Sequence, residues 1–198
     1  MNRLLGVVLA IPLLYHSAHA QVLEFEANGL KYQALTRSGV TIMYAHLAQR
    51  IHKFSIMQVA VSNGSPGPYV VRPEDCTYVR EGGDVPASPA RDVIQMLMKS
   101  GSGSDVIKLV TAYENWVAGI PNFRSTNGFE ARRQSAIGMG APKVRSAAAA
   151  SALALAPTKL APGESTDGAV FFATEGKPLT GGKLVIKTNT DRFEFNAE

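Results

Sequence analysis

The sequence LAPGESTDGAVFF, residues 160–172, joins a tight turn to an apolar β-strand. Proline presets its φ angle and glycine accepts a positive φ, so Pro162 and Gly163 favour a tight turn. Side chains alternate along a strand, which places Phe171 and Phe172 on opposite faces. Bulky apolar residues on both faces predict that one face lines a β-sandwich core and that the other lies under helices.

Strand-like segments lie on both sides of a middle part that has the pattern of helices. Residues 22–80 are rich in β-branched and aromatic side chains, and they are divided by turns, the strongest of them at 62–68. Residues 158–198 return to this pattern. The sequence therefore predicts a mainly β fold, with a helical insertion at about 86–157 between the central and the C-terminal strands.

The middle part begins with two predicted helices. Ser88 and Pro89 are typical of a helix start, and Gly101 is typical of its end. Ser104 is the predicted N-cap of the second helix, whose apolar residues recur at helical spacing as far as Gly119. Because the linker is so short, we expect the two helices to form an antiparallel hairpin.

Two further helices are predicted before the chain returns to strands. One covers residues 128–137, and the other starts at Pro142 and runs through the alanine-rich segment 146–155. Alanine has the highest helix propensity and allows close approach. We therefore expect the alanine-rich helix to pack closely against the sheet.

Several of these stretches resemble those of a family of exported domains. VAVSNGS at 59–65 and VVRP at 70–73 resemble the central strands of bacterial immunoglobulin-like domains, and 160–172 resembles the later strand pair of their telokin-like members. The resemblance covers residues 22–80 and 158–196 and implies an immunoglobulin-like β-sandwich. Domains of this family serve as adhesins, assembly parts, inhibitors and ligand-binding modules, so the resemblance implies a function of one of these kinds.

The N-terminus has the three parts of a secretory signal peptide. Arg3 supplies a positive charge, residues 4–15 form a short apolar core, and alanines occupy the two small-residue positions before Gln21. The apolar core is shorter than the roughly 20 residues that span a bilayer. We therefore predict a signal peptide at 1–20 and a single exported domain at 21–198, periplasmic or extracellular and without a transmembrane segment.

The charge of the exported chain is mild. One of the 20 basic residues, Arg3, lies in the predicted signal, so 19 remain against 16 acidic residues, a net charge of +3. The basic residues form only two short clusters, at 132–133 and 143–145. Nucleic-acid binding usually requires a clustered basic stripe, so it is not predicted.

Cys76 is the only cysteine and cannot form an internal disulfide. Glu74 and Asp75 precede it, and like charge raises the pKa of a thiol. We interpret Cys76 as a small buried apolar side chain. The alternatives are an intermolecular disulfide and a nucleophile.

No motif predicts an active site, because the known zinc, redox, hydrolase-elbow and phosphate-loop patterns are absent. The exported chain has two histidines, His46 and His52, which we interpret as scattered. The alternatives are the base of an unrecognised hydrolase and, together with methionines, an exported copper carrier. Glu24 and Glu26 are typical of a solvent-facing strand. The sequence predicts no enzyme, cofactor or metal site.

The preferred hypothesis is an exported, non-enzymatic binding or assembly protein of the cell envelope. Aromatic side chains often carry binding energy, so Tyr113 and Trp116 on the helical insertion are the candidate contacts to another envelope or extracellular protein. The alternative for both is packing in the core. A second hypothesis is a protease inhibitor or an accessory subunit of an exported enzyme, acting through the 62–68 loop.

Export is expected to remove residues 1–20 and to leave a chain that begins at Gln21, which intact mass and N-terminal sequencing of the exported protein will measure. Ala18→Leu and Ala20→Leu should each block cleavage, because these two positions admit only small side chains. His19→Ala serves as the matched control and should be cleaved normally. An exported wild-type chain that keeps residues 1–20 would contradict the prediction.

Overall fold

The structure, a computed structural model, describes residues 21–120, 123, 125–126, 132, 134–136, 138 and 140–197. Its strands are β1 (Leu23–Ala27), β2 (Leu30–Arg37), β3 (Val40–Ile51), β4 (Phe54–Asn63), β5 (Tyr69–Val71), β6 (Cys76–Arg80), β7 (Val85–Ser88), β8 (Thr158–Leu160), β9 (Ser165–Ala173), β10 (Gly182–Lys187) and β11 (Arg192–Ala197). Its helices are α1 (Ala90–Ser100), α2 (Gly103–Ala118) and α3 (Pro142–Leu153). The predicted mainly β class is confirmed.

Nine of these strands form one antiparallel sheet in the order β1-β2-β3-β4-β9-β7-β6-β10-β11, and β5 and β8 form a separate pair. The large sheet curls into a half-barrel. Its last strand thereby returns towards its second, where the Gln33 side chain donates to the backbone oxygen of Asn196 at 2.8 Å. The predicted signal peptide and most of the predicted 128–137 helix lie outside the described residues.

The central strands are buried on both faces because both faces carry apolar side chains. On β9, Phe172 belongs to the cluster inside the curl, and Phe171 belongs to the cluster that includes the helices. On β4, Met57 belongs to the cluster inside the curl and Ile56 to the cluster that includes the helices. We call the side of the sheet inside the curl the inner face and the side under the helices the helix face. The predicted burial of Phe171 under helices is confirmed.

Helix α2 begins two residues earlier than predicted. The N-cap is Ser102, whose hydroxyl accepts from the backbone N–H of Asp105, while the Asp105 carboxylate accepts from the backbone N–H of Ser102 at 2.8 Å. This reciprocal capping box satisfies two donors that a helix start leaves unpaired. Asp105 also lies 3.3 Å from Nε2 of His52, which ties α2 to the β3–β4 turn.

The helices pack differently from the expected α1–α2 hairpin. The alanine-rich α3 contacts both α1 and α2 more extensively than those two helices contact each other. Buried Ala147 and Ala150 allow this approach, so α3 packs chiefly on helices and not on the sheet. No helix in the described part of the chain is long and apolar enough to cross a membrane.

Gly168 allows the chain to pass from the helix face to the inner face. After α3, the backbone of Leu155 donates to Ala169 at 2.9 Å, beside β9, and the Leu155 side chain joins the inner cluster. A Cβ atom on Gly168 would lie 2.4 Å from the backbone of Leu155. Only a residue without a side chain leaves room for this crossing.

Gly168→Ala is expected to lower the free energy of unfolding by about 1–3 kcal/mol, the usual cost of forcing extra volume into a packed interior. Chemical denaturation will measure the change. Gly67→Ala is the matched control, because a Cβ atom there meets nothing within 4 Å. Equal stability of the two variants would contradict the crossing argument.

Candidate functional site

A cleft of about 480 Å³ opens where the first three strands meet the end of β11. Its polar walls come from two cross-strand rows on the inner face. In the first row, Glu24 of β1 pairs with Gln33 of β2, and Gln33 pairs in turn with Tyr44 of β3. The second row lies two residues further along each strand, and alternation therefore places it on the same face. It consists of Glu26, Lys31 and His46.

Gln33 is the central residue of the cleft. Its amide nitrogen donates to Glu24 Oε1 and to the backbone oxygen of Asn196, both at 2.8 Å. Both acceptors are oxygens that carry no hydrogen, so the orientation of the amide follows from its partners. The Gln33 side chain joins β1, β2 and β11 and closes the seam of the half-barrel.

The carbonyl oxygen of the Gln33 amide is left without a partner in the described residues. Gln33 is only 9% exposed, so water does not readily satisfy this oxygen. Burying an amide group without a hydrogen bond costs stability. This oxygen is itself closed to solvent, so the Gln33 amide closes the seam at a cost in stability.

Tyr44 and His46 complete the wall on β3. The Tyr44 hydroxyl donates to the Asn196 backbone oxygen at 3.1 Å. His46 is partly buried, and this burial lowers the pKa of its ring. The ring is therefore neutral at neutral pH and offers one donor and one acceptor nitrogen. Glu24 and Glu26 are exposed, so the cleft combines open carboxylates with a buried amide.

The structure places Tyr113 and Trp116 in the core. Tyr113 is 4% exposed and Trp116 is fully buried, with their rings 6.2 Å apart. The Tyr32 hydroxyl donates to the backbone oxygen of Trp116 at 2.9 Å, which ties α2 to β2. Both residues therefore pack within the chain, which is the alternative that the sequence left open for them.

Cys76 and His52 both lie away from the cleft. Cys76 is a buried free cysteine, and its burial, followed by the charges of Asp75 and Glu74, raises the pKa of the thiol. Its interpretation as a buried apolar side chain is confirmed. His52 lies in the β3–β4 turn beside Asp105 and does not line the cleft that contains His46.

No group of three His, Cys, Asp or Glu side chains in the described residues lies close enough to hold a metal ion. The inner-face row of Glu26, Lys31 and His46 is therefore a set of hydrogen-bonding and charged groups rather than a ready ligand set. These groups suit binding of a polar ligand through several directed contacts.

The prediction that Glu24 and Glu26 face solvent is confirmed, because both side chains are exposed. Their grouping with Gln33 and His46 is not predicted by any sequence motif. Alternation does place Glu24 and Glu26 on one face, and Gln33 in the following strand is the unusual polar residue among apolar neighbours. The hairpin register that brings them together is the signal that could have identified the site.

Comparison with protein-family models, with curated proteins and with solved structures finds no match to this chain.

The pH dependence of stability tests the burial of His46. Because the pKa is lowered in the folded state, the unfolded chain binds the proton more tightly. The contribution of the neutral ring to the free energy of unfolding is complete above the ordinary pKa of 6.5. It is lost as the pH falls below 6.5 towards the lowered pKa of the folded state. We expect the unfolding free energy to fall more between about pH 7 and about pH 5 in the wild type than in His46→Gln.

The same comparison in a His52→Gln background is the control, because it removes the second histidine of residues 21–198. A difference that persists there belongs to His46. Identical pH profiles with and without His46 would contradict its burial in the neutral form.

Proposed function

We propose that this protein is an exported, non-enzymatic binding or assembly protein of the cell envelope, and that its binding site is the cleft around Gln33. The observation that carries the proposal is the convergence of Glu24, Gln33, Tyr44 and His46 on one concave surface. The cleft volume of about 480 Å³ lies within the range of small-ligand sites. The predicted signal peptide at 1–20 supports export, and the expected partner remains another envelope or extracellular protein.

The fold that we propose for this scaffold is an immunoglobulin-like, telokin-like β-sandwich formed by residues 21–198 as one domain. Its support is the resemblance at 59–65, 70–73 and 160–172, together with the inner cluster that separates β3 and β4 from β10 and β11. Helices α1, α2 and α3 would then form an insertion between the central and C-terminal strands, at about 86–157. In this proposal the insertion covers the helix face and leaves the cleft open.

Co-purification of the tagged, exported protein after cross-linking in native cells tests the binding function. Glu26→Lys reverses a charge in the cleft without removing a hydrogen bond or ion pair to another described residue. We expect it to reduce recovery of the bound component by about 10-fold, because it removes a negative charge from the cleft and introduces a positive one. Mass spectrometry of proteins and small molecules in the eluate will measure recovery.

Glu81→Lys is the matched control, since Glu81 is exposed and does not line the cleft. The control should recover the same component as the wild type. Equal recovery with both variants would place binding elsewhere and contradict the proposal, and so would turnover of the recovered component by the purified protein.

The second candidate function is a protease inhibitor or an accessory subunit of an exported enzyme, acting through the 62–68 loop. The supporting observation is the set of hydrogen bonds that Asn63 forms within and beside this loop. The Asn63 amide donates to Gly67 at 2.8 Å and to Leu160 at 3.1 Å, and its carbonyl accepts from the Ser65 hydroxyl at 2.6 Å. A loop held in one conformation loses little entropy on binding. Recovery that is lost on replacing residues 64–67, but kept in Glu26→Lys, would favour this candidate.

A further inference from the structure

Strand β1 is one of the two edges of the nine-stranded sheet, and its outer side is open. Leu23–Ala27 pairs residue by residue with β2, without a bulge, and no other strand in the described part of the chain pairs with it. No backbone hydrogen bond reaches the outer side of β1 from any described residue. An open edge of this kind presents unpaired N–H and C=O groups to which a further strand can be added.

The opposite edge of the sheet, β11, is closed by side chains. The backbone oxygen of Asn196 accepts hydrogen bonds from the side chains of Gln33 and Tyr44, at 2.8 and 3.1 Å. Arg192 and Glu194 form an ion pair along the same strand. Charged side chains and occupied backbone groups oppose the addition of a strand. Strand addition is therefore expected at β1 and not at β11.

The hairpin turn determines which backbone groups of β1 point outwards. Asn28 and Gly29 form a two-residue turn with positive φ angles of 51° and 71°, and Ala27 and the first residue of β2 flank this turn as a pair. In such a hairpin the flanking pair is hydrogen-bonded, and non-hydrogen-bonded and hydrogen-bonded pairs then alternate along the ladder. The N–H and C=O groups of Glu24 and Glu26 therefore point away from β2, towards the open side.

The two faces of β1 differ in chemistry. Glu24 and Glu26 lie on the inner face, and both are exposed. Leu23 and Phe25 lie on the helix face, where Leu23 is 64% exposed and Phe25 is partly buried beside the ring of Tyr32. A strand added to β1 presents alternate side chains to these two faces. It is complementary when basic side chains lie opposite the glutamates and apolar side chains lie opposite Leu23 and Phe25.

A second copy of this chain does not have this complementarity. Two antiparallel β1 strands can pair in the register centred on Phe25, which places Glu24 of each copy opposite Glu26 of the other. The neighbouring registers that keep the faces matched place a glutamate opposite itself. Like charges directly opposite each other destabilise a strand pair. The glutamates therefore oppose self-pairing and favour a basic partner.

We propose that β1 binds an extended segment of another protein as an added antiparallel strand, and that this segment alternates basic and apolar side chains. The inference rests on the proposed binding function and specifies its partner, because Glu24, Phe25 and Glu26 also line the cleft. Antiparallel pairing follows the neighbouring ladders of β1, β2, β3 and β4. The residues opposite Glu24 and Glu26 then each exchange two backbone hydrogen bonds with β1.

Isothermal titration calorimetry of the exported protein with capped heptapeptides of alternating valine and lysine tests the proposal. A peptide with glutamate in place of lysine keeps the alternation and reverses the charge. We expect the lysine peptide to bind, and we expect the glutamate peptide to bind at least about 10-fold more weakly, because like charges then lie opposite each other. Binding of the lysine peptide should weaken as salt is raised.

Methylation of the peptide backbone tests strand pairing without any change in the protein. Methyl groups on the backbone nitrogens of the lysines remove the donors that face β1, so binding should weaken by at least about 10-fold. Methyl groups on the backbone nitrogens of the valines lie on the far side of the added strand. The valine-methylated peptide is therefore the matched control and should bind as the unmethylated peptide does.

Two substitutions of Glu26 test the edge from the side of the protein. Glu26→Gln removes a charge and keeps the backbone N–H, so it should weaken binding of the lysine peptide by about 2- to 5-fold. Glu26→Pro also removes the outward N–H, which β2 does not use, and should weaken binding by at least about 10-fold. Glu81→Gln is the matched control and should bind as the wild type does. The methylated peptides decide the question if Glu26→Pro does not fold.

Three outcomes would overturn the proposal: no binding of the lysine peptide, equal affinity for the lysine and glutamate peptides, or equal affinity for the two methylated peptides. If the lysine peptide does not bind while Glu26→Lys still loses its envelope component, the binding function stands and only strand addition is wrong. If the lysine peptide does not bind and Glu26→Lys recovers its component as the control does, the cleft is not the binding site and both proposals fail.

Discussion

Burial of both faces of the central strands is the constraint on which the rest of this structure depends. Phe171 and Phe172 are consecutive, so one lies on each face of β9, and Ile56 and Met57 repeat the arrangement on β4. Each such side chain stabilises the fold by about 1.5–3 kcal/mol only when it is removed from water. One covering layer is not enough for such strands. The curl of the sheet covers the inner face, and the helices cover the other.

The two layers have to be connected, and the connection determines several local features. The chain leaves α3 on the helix face and enters the inner cluster at Leu155, which requires Gly168 beneath it. At the start of α2, Asp105 both caps the helix and contacts His52 in the β3–β4 turn. Trp116, on the buried side of α2, has a backbone oxygen that accepts from the Tyr32 hydroxyl of β2. These contacts explain why the aromatic residues of α2 lie inside the protein.

The seam of the half-barrel has different chemistry from the core. It is joined by the side chains of Gln33 and Tyr44, which both donate to the backbone of Asn196. An apolar seam would avoid the cost of a buried, unsatisfied amide oxygen. Polar residues at this point therefore contribute less to stability than apolar ones would. This imbalance is the physical reason for our proposal that the binding site is the cleft rather than the helices.

The sequence by itself determined the features that depend on near neighbours: the mainly β class, the strand that contains Phe171 and Phe172 with its two apolar faces, the approximate positions of α1, α2 and α3, and the burial of Cys76. The N-cap of α2 is Ser102 and not the predicted Ser104, because Asp105 forms a capping box with Ser102. This difference also arises from residues that are close in the sequence. Only the tertiary structure decided that α3 contacts both α1 and α2 more than those two contact each other, and that Glu24, Gln33 and His46 line one cleft. Residues far apart in the chain create these features, and their meeting depends on strand register and sheet curvature, which local periodicity does not specify.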